Sequence, residues 1–178
     1  MRNLELKVQC DEAMFAEVSA RADALGARQS LWQRDTYFSV PHGRLKLREI
    51  REEGADSAAE LIGYSRPDLE GSRWSTYHRA VISTSEVDAL REGLASTIGE
   101  RIVVEKRRDV VLVKQTRIHL DNVTGLGSFI ELETVIDGAL SDENAAIEHV
   151  AIIAALGIGD LPPVGGSYSD LLEAAATR

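Results

Sequence analysis

The sequence has very little cysteine and no long apolar run, and both absences restrict where the protein acts. Cys10 is the only thiol among 178 residues, so no internal disulfide can form, which is typical of a reducing compartment. No apolar run approaches the length of a membrane span. Near the N-terminus, the charges of Arg2, Glu5 and Lys7 interrupt the apolar core that a secretory signal needs. We therefore expect a cytoplasmic protein with no membrane partner.

The chain also lacks any excess of positive charge. Its 20 lysines and arginines are outnumbered by 29 aspartates and glutamates, which gives a net charge of −9 at pH 7. A protein that binds nucleic-acid backbones nonspecifically needs a basic exterior, so this balance predicts no nucleic-acid partner. Internal repeats and linker-like segments are absent too, and the length suits one unit that buries roughly two-thirds of its unfolded surface. We predict one domain over residues 1–178.

The most informative stretch runs from Arg117 to Ile136, where two alternating strands flank a glycine turn. Gly125 and Gly127 provide the positive φ that a tight reversal needs, so the strands should pair as an antiparallel hairpin. Clustered carboxylates repel one another unless a cation lies between them, and an oxygen-only set suits Mg²⁺ or Mn²⁺. The alternative is the solvated outer face of an ordinary hairpin. The carboxylates that alternation places on one face of this hairpin are Asp121, Glu131 and Glu133.

Other segments alternate in the same way and carry cations on one face. Arg44, Lys46 and Arg48 share one face of a predicted strand, with leucines on the other face. A row of like charges is unusual on an exposed sheet, where neighbouring charges of one sign destabilise the pairing. Residues 3–9 and 101–116 also alternate, so several strands have one polar and one apolar face.

The predicted helices each carry an apolar stripe that needs a surface to cover. In the third helix we expect the buried stripe to consist of Ile147, Val150, Ile153, Ala154 and Leu156. The helices should pack outside the sheet, and the polar strand faces then line either an open side or a closed lumen. Closing about eight strands removes both sheet edges, so we favour an α+β fold: an eight-stranded antiparallel β-barrel, or tunnel, with helices packed outside. The helices are predicted at residues 11–26, 83–99, 141–158 and 167–176.

The lumen of such a barrel would contain many charged side chains. Cations without matching partners would be destabilised in a confined space unless a polyanion bound there. The neighbouring carboxylates would favour a divalent metal, so a ligand with several phosphates together with Mg²⁺ or Mn²⁺ satisfies both groups. The residues expected in the lumen are Glu5, Lys7, Arg44, Lys46, Arg48, Arg66, Arg79, Lys106, Arg108, Arg117, Asp121, Glu131 and Glu133.

A series of motifs in a set order covers nearly the whole chain. They are Asn3-Leu4-Glu5-Leu6-Lys7, DTYF at 35–38, GRLKLRE at 43–49, YSRP at 64–67, EKRR at 105–108, RIHLD at 117–121, GLGSFIELE at 125–133 and SYSDLL at 167–172. In this order they resemble the CYTH group of triphosphate tunnel metalloenzymes, which takes in class IV adenylate cyclases and thiamine triphosphatases. The resemblance implies an eight-stranded antiparallel tunnel that binds triphosphate through inward lysines and arginines.

The resemblance also implies roles for particular residues. The implied ligands of Mg²⁺ or Mn²⁺ are Glu5, Asp121, Glu131 and Glu133. The implied phosphate-binding residues are Lys7, Arg44, Lys46, Arg48, Arg66, Arg79, Lys106, Arg108 and Arg117, of which Arg44 and Arg79 match less closely. Catalytic roles would belong to Glu5, Lys7, Glu131 and Glu133. The chain departs from the family signature at Asn3, where the first glutamate is expected; an amide oxygen can bind a metal but brings no charge.

The predicted function is metal-dependent attack on a phosphoanhydride of a nucleoside or organic (poly)phosphate, with water as nucleophile in a phosphohydrolase. One alternative is a class IV adenylate cyclase that forms cyclic AMP and pyrophosphate from ATP. A second alternative is an inactive module that binds polyphosphate or a nucleotide. In each case the partner is a small molecule, and the residues leave open whether the protein forms a homodimer.

Overall fold

The structure is a computed structural model that describes residues 2–52, 54, 56–65, 73–136 and 141–177, with the backbone alone at Arg2 and residues 73–77. Segments in which polar and apolar residues alternate form the strands, and segments in which apolar residues recur every three or four positions form the helices. In chain order the elements are β1 (Arg2–Cys10), α1 (Glu12–Asp23), β2 (Arg28–Phe38), β3 (Arg44–Glu52), β4 (Ala58–Ser65), β5 (Arg73–Ile82), α2 (Val87–Ile98), β6 (Glu100–Val113), β7 (Thr116–Val123), β8 (Gly127–Ile136), α3 (Asp142–Leu156) and α4 (Tyr168–Ala176).

The eight strands pair antiparallel throughout, in the order β1-β5-β4-β3-β2-β6-β7-β8, and β1 also pairs with β8. The sheet therefore returns to its first strand and surrounds a lumen. The seam between β1 and β5 is short, with four residue pairs in the described chain against nine between β1 and β8. The predicted α+β class with eight antiparallel strands is confirmed, and "barrel" is an approximate description because this seam is short.

The apolar strand faces point outward, and three helices cover them. Val18 of α1 and Leu156 of α3 pack with Leu120 and Ile130 over β1, β7 and β8. On the other side, Val87 at the start of α2 packs over β2, β3 and β4. The main hydrophobic core therefore lies between the sheet and the helices, as predicted, and the polar strand faces remain for the lumen.

The prediction for the buried face of α3 is wrong for most of its residues. Ile147 and Val150 are 61% and 63% exposed, Ala154 is exposed and Ile153 is half-buried. Leu156 is buried as predicted, and the helix also buries Ala145, His149 and Ile152. This helix is apolar on most of its surface, so helical spacing alone does not distinguish its two faces. The structure orients it partly through a hydrogen bond between His149 Nδ1 and Thr134 Oγ1 at 2.9 Å.

Side-chain caps begin α1, α3 and α4, whereas α2 begins after Glu86, whose side chain makes no capping hydrogen bond. Asp11 accepts a hydrogen bond from the Met14 backbone N–H at 2.8 Å, and Ser141 caps α3 in the same way. Ser167 and Asp170 form a capping box at the start of α4. In the described part of the chain, none of the helices combines the length and the hydropathy that a membrane-spanning helix requires.

Candidate active site

The lumen contains a cavity of about 460 Å³, a volume typical of small-molecule sites. Its wall is formed by inward residues of the alternating strands, together with residues at the start of α4. Most of the charged residues predicted for the lumen do line this cavity. They are Glu5, Lys7, Lys46, Arg48, Arg79, Lys106, Arg108, Arg117, Glu131 and Glu133.

Asp35, an inward residue of β2, lies at the centre of a first charged cluster. Its carboxylate accepts hydrogen bonds from Lys46 Nζ at 2.8 Å and from Arg48 Nε at 2.8 Å and Nη2 at 3.0 Å. Gln33 also donates to it, at 3.0 Å. Burial by itself would raise the pKa of Asp35, but the charges of Arg48 and Lys46 hold that pKa well below its usual range. The carboxylate therefore stays ionised and neutralises part of the positive charge of Lys46 and Arg48, two residues predicted to bind phosphate.

Asp121, an inward residue of β7, is the centre of a second cluster and is 0% exposed. It accepts two hydrogen bonds from Arg108, from Nε at 2.6 Å and from Nη2 at 2.5 Å, and one from Lys106 Nζ at 3.2 Å. Tyr168 donates its hydroxyl to the same carboxylate at 2.8 Å. Burial would raise the pKa of Asp121, but Arg108 and Lys106 hold it well below its usual range. The role of Asp121 as a metal ligand remains a prediction, since cations and a hydroxyl engage its oxygens here.

The two clusters have the same composition. Each contains a Lys-x-Arg sequence on one strand and an aspartate on a paired strand, β3 with β2 and β6 with β7. Because β2 pairs with β6, with Gln33 opposite Lys106, the clusters lie side by side in the wall. We name them the Asp35 clamp (Asp35, Lys46 and Arg48) and the Asp121 clamp (Asp121, Lys106 and Arg108).

The clamps overturn the expectation that the luminal cations lack matching partners. Around the described part of the cavity, seven lysine and arginine side chains are accompanied by six carboxylates when Asp121 is included. Sequence reasoning missed Asp35 as a member of this set. The sequence does contain a signal for it: Asp35 and Tyr37 are two residues apart in the DTYF motif, so in a strand they share one face, and that face points inward.

α4 lies at one end of the lumen, and its first residue projects inside. The ring centroid of Tyr168 lies 4.2 Å from Lys7 Nζ and 4.8 Å from Lys106 Nζ, distances at which an ammonium is attracted to an aromatic face. Phe129 packs edge-on against the same ring, with 5.0 Å between centroids. Lys7 Nζ also donates to the Gly166 carbonyl at 3.1 Å. The helix therefore contacts two of the predicted phosphate-binding lysines.

Three further arginines predicted to bind phosphate do not belong to either clamp. Arg44 pairs with Asp170 of α4 at 2.7 Å and lies outside the cavity wall. Arg79 lines the cavity, but its side chain is 50% exposed and pairs with Glu60. Arg66 lies outside the residues that the structure describes. The structure thus gathers the central cations and leaves Arg44 at the α4 end.

Glu5 and Glu133 lie opposite each other on the paired strands β1 and β8. Glu133 accepts a hydrogen bond from Arg117 Nη1 at 2.9 Å and another from the Asn3 amide. The side-chain carbonyl oxygen of Asn3, Oδ1, is buried and accepts no hydrogen bond from any described residue. Such an oxygen costs free energy while it lacks a partner.

Glu131, two residues from Glu133, connects these acids to the Asp121 clamp. Its Oε2 accepts a hydrogen bond from Arg108 at 2.9 Å, and its Oε1 lies 3.8 Å from Lys7 Nζ. Burial would raise the pKa of Glu131, but Lys7 and Arg108 hold it well below its usual range. His119 Nδ1 lies 3.6 Å from Glu131, and burial together with Arg108 lowers the His119 pKa. His119 is therefore neutral at neutral pH.

These acids fit a hard divalent cation by their chemistry. Glu5, Glu131, Glu133 and the Asn3 carbonyl provide only oxygen atoms, which Mg²⁺ and Mn²⁺ prefer. A cation beside Glu133 would also give the Asn3 oxygen the partner that it lacks. Among the described residues, however, no group of three or more acidic, histidine or cysteine side chains is already arranged to hold a metal. Metal binding would therefore have to draw these oxygens together.

The pKa of Lys46 leads to a prediction for pH dependence. Burial and the neighbouring Arg48 lower the pKa of Lys46 to about 7, although Asp35 acts in the opposite direction. A bound triphosphate would raise that pKa, so binding above pH 7 requires uptake of a proton. We expect log Kd for tripolyphosphate to rise with pH, by up to about one unit per pH unit between about pH 7 and pH 9. Calorimetry in buffers of different ionisation enthalpy measures the proton uptake directly.

The matched control for this experiment is Lys46→Arg, which stays charged over the whole range. Its pH profile should be flatter than that of the wild type. Lys106, whose pKa burial and Arg108 lower to about 8, would contribute the part that remains. A wild-type Kd that is constant over this range, with no buffer-dependent heat, would show that Lys46 does not meet the phosphates.

Several solved structures have a fold similar to that of this chain. The PH1819 protein of Pyrococcus horikoshii OT3 is 24% identical with a TM-score of 0.77, over 97% of this chain and 99% of that chain. HpAC1 of Hippeastrum, described as an adenylyl cyclase candidate with a dominant triphosphatase activity, is 14% identical with a TM-score of 0.68, over 98% and 95%. The Mimivirus capping enzyme triphosphatase is 12% identical with a TM-score of 0.58, over 87% and 90%. At these identities the likeness concerns the fold alone.

No functionally curated protein matches the sequence. The CYTH domain profile matches residues 1–161, which include all eight strands and both clamps. The resemblance inferred from the sequence motifs is thereby confirmed, and the chain belongs to the CYTH domain family.

Proposed function

We propose that this protein is a divalent-metal-dependent phosphohydrolase that acts, within a single domain, on a phosphoanhydride of a nucleoside or organic (poly)phosphate. The observation that supports this best is the pair of clamps. Lys46 and Arg48 of β3 and Lys106 and Arg108 of β6 converge on one cavity from the two sides of β2. Their hydrogen bonds are already directed at carboxylate oxygens. Phosphate oxygens have the same charge and accept the same bidentate hydrogen bonds from arginine. A chain of phosphates can therefore engage both clamps together.

Binding in this proposal is an exchange of anions. Asp35 and Asp121 hold the cations of each clamp in place while the site is empty, and phosphate oxygens then accept the same hydrogen bonds. Little side-chain entropy is lost on binding, because the cations are already ordered. Lys7, which contacts both Tyr168 and Glu131, would meet a phosphate oxygen between α4 and the acids. Arg117 remains paired with Glu133 and orients it.

The metal would be held by Glu5, Glu131, Glu133 and the side-chain carbonyl of Asn3. Asp121, the remaining carboxylate predicted as a ligand, would act as a counter-ion, because Arg108 and Lys106 already donate to its oxygens. When bound, Mg²⁺ or Mn²⁺ would neutralise charge on the phosphoryl oxygens and lower the pKa of a coordinated water. Because Asn3 brings no charge, this set of metal ligands has one carboxylate fewer than the family signature. We therefore expect weaker metal binding than a site with glutamate at this position would have.

Incubation with ATP, tripolyphosphate and thiamine triphosphate, each with Mg²⁺ or Mn²⁺, tests the reaction, with products separated by chromatography. Orthophosphate release would support the phosphohydrolase. Cyclic AMP with pyrophosphate would identify the cyclase alternative instead. Tight binding without turnover would support the alternative of an inactive binding module. The absence of both binding and turnover would contradict a triphosphate site.

Replacing the carboxylates of the acid group tests the metal assignment. We expect Glu133→Gln and Glu131→Gln to raise the Mg²⁺ or Mn²⁺ concentration for half-maximal activity by at least about tenfold, because each removes ligand charge. The measurement is the metal dependence of the initial rate at saturating substrate. The matched control is Glu105→Gln on the outer face of β6, beside Arg34. If all three variants match the wild-type metal dependence, the acids do not hold the metal.

A further inference from the structure

A second cavity lies at the α4 end of the sheet, outside the lumen. Its volume is about 220 Å³, several times the roughly 30 Å³ that one water molecule occupies. Arg44, the first residue of β3, and Arg101, near the start of β6, both line it. We call this space the arginine cavity. Its other lining residues are Tyr37, Phe38, Val40, Gly43 and Leu45.

The wall of the arginine cavity is cationic. Among the residues that the structure describes, two arginines and no carboxylate line it, whereas acids accompany the cations of the lumen. The side chain of Arg44 is 12% exposed, so most of its charge is removed from water. A confined cationic space attracts small anions even in a chain of net charge −9, because a cleft focuses the field of the charges that line it.

Two acids of α4 hold the arginines in place without lining the cavity. Asp170 accepts a hydrogen bond from Arg44 at 2.7 Å and lies 3.5 Å from Nη2 of Arg101, so one carboxylate brings the two guanidinium groups together. Glu173 accepts from Nε of Arg101 at 2.6 Å. Nη1 of Arg101 donates to no residue in the described part of the chain. An anion in the cavity would therefore meet ordered donors, which limits the entropy lost on binding.

An irregularity of the sheet accounts for the position of Arg101. The register of β2 with β6 shifts between Tyr37 and Phe38, and Arg101 is the extra residue of β6 at that point. Such a bulge re-aims a side chain and is frequent beside functional sites. Arg44 reaches the cavity from the other neighbour of β2, so arginines from β3 and β6 flank the end of β2.

Tyr37 separates the arginine cavity from the lumen, since it lines both spaces. Its hydroxyl lies 3.4 Å from the hydroxyl of Tyr64 and accepts a hydrogen bond from Lys46 Nζ at 3.5 Å. Arg44 precedes Lys46 by two residues on β3, a distance of roughly 7 Å along the strand. A single phosphate released beside Lys46 would therefore be close to the arginine cavity, whereas Tyr37 stands in the way of a longer chain of phosphates.

We propose that the arginine cavity is a binding site for orthophosphate, held by Arg44 and Arg101 and separate from the triphosphate lumen. Orthophosphate has the charge that the wall lacks, and its oxygens accept paired hydrogen bonds from guanidinium groups. Two sources supply this ion: the phosphoanhydride cleavage proposed for the lumen, and free phosphate in solution. The site goes beyond the proposed function, and the test of binding needs no turnover.

Calorimetric titration with inorganic phosphate tests the site, in EDTA and with tripolyphosphate saturating the lumen. Orthophosphate should still bind to the wild type, because the arginine cavity lies outside the lumen. Arg101→Gln should weaken this binding by at least about tenfold, while the Kd for tripolyphosphate changes by less than about twofold. The matched control is Arg107→Gln, on the exposed outer face of β6, which should leave both Kd values unchanged.

Two results would overturn the site. One is the absence of phosphate binding to the wild type once tripolyphosphate fills the lumen. The other is a phosphate Kd that is the same in the wild type and in folded Arg101→Gln; if circular dichroism shows that this variant does not fold, Arg44→Gln takes its place. If tripolyphosphate does not bind, the proposed function fails, and titration with phosphate alone still tests the site, since Arg101→Gln should weaken that binding.

Rates measured with Mg²⁺ distinguish the two sources of the ion. If the product passes from the lumen to the arginine cavity, Arg101→Gln should lower the multiple-turnover rate several-fold. The single-turnover rate, which ends before the product leaves, should stay at the wild-type value. Wild-type rates in both regimes, together with weakened phosphate binding, would instead assign the site to free phosphate from solution.

Discussion

Asp121→Asn is expected to destabilise the empty protein by about 3–5 kcal/mol, which would lower Tm by about 10 °C for a chain of this length. The physical reason is that Asp121 is completely buried and is the shared partner of Arg108 and Lys106. Removing its charge leaves buried cations without full compensation, while Glu131 can neutralise only part of the Arg108 charge. Thermal unfolding followed by circular dichroism measures the change.

Saturating tripolyphosphate should stabilise Asp121→Asn more than it stabilises the wild type. For the wild type, ligand at about a hundred times Kd adds roughly 2.7 kcal/mol to the free energy of unfolding. In the variant the phosphates also restore missing negative charge, so the ligand-induced shift in Tm should be larger. This result would support the role of Asp121 as a stand-in for phosphate.

The matched control is Asp109→Asn, on the outer face of β6. Asp109 pairs with Arg28 at 2.8 Å, and both side chains are about a quarter exposed, so the loss should be at most about 1 kcal/mol. Wild-type stability of Asp121→Asn, combined with a raised metal requirement, would contradict the counter-ion role and favour the original prediction of a metal ligand.

Arg108→Met is expected to weaken tripolyphosphate binding by at least about tenfold, because it removes a guanidinium that can bind phosphate through two hydrogen bonds. Arg48→Met should act in the same direction through the Asp35 clamp. Both arginines line the cavity, and both present Nε and Nη2 to a carboxylate in the empty protein. Calorimetric titration at a temperature where each variant is folded gives the ratio of Kd values.

Arg107→Met provides a control one residue away. Arg107 is exposed on the outer face of β6, so its charge is screened by water and salt and its loss should leave Kd nearly unchanged. Equal Kd values for Arg107→Met and Arg108→Met would refute the assignment of the lumen as the phosphate site. The empty Arg108→Met protein should also lose stability, since Lys106 is then the one charged donor left to Asp121 among the residues that the structure describes.

Local sequence pattern is enough to assign each strand residue to one face of its strand. Successive side chains of a strand point to opposite faces, so Arg107 and Arg108 lie on different faces of β6. For the same reason Arg117, His119 and Asp121 share one face of β7. The hairpin at Gly125 and Gly127 is confirmed with positive φ at both glycines, 81° and 91°. These features depend on local backbone geometry, which is why they could be predicted without tertiary structure.

Other features depend on which strands become neighbours, and long-range strand pairing sets those. Asp35 and Asp121 meet their Lys-x-Arg partners through pairings between distant segments, so neither clamp could be read from one strand alone. Arg44 was predicted in the lumen, yet Asp170 of α4 engages it at the end of the sheet.

The buried face of α3 was also decided by tertiary contacts. Ile147 and Val150 are as apolar as the residues that the helix does bury, so hydrophobic periodicity was ambiguous. The polar His149, with a partner at Thr134 on the outer face of β8, is buried instead. Hydrogen-bond partners and packing surfaces come from other parts of the chain, and a local pattern contains no information about where those parts lie.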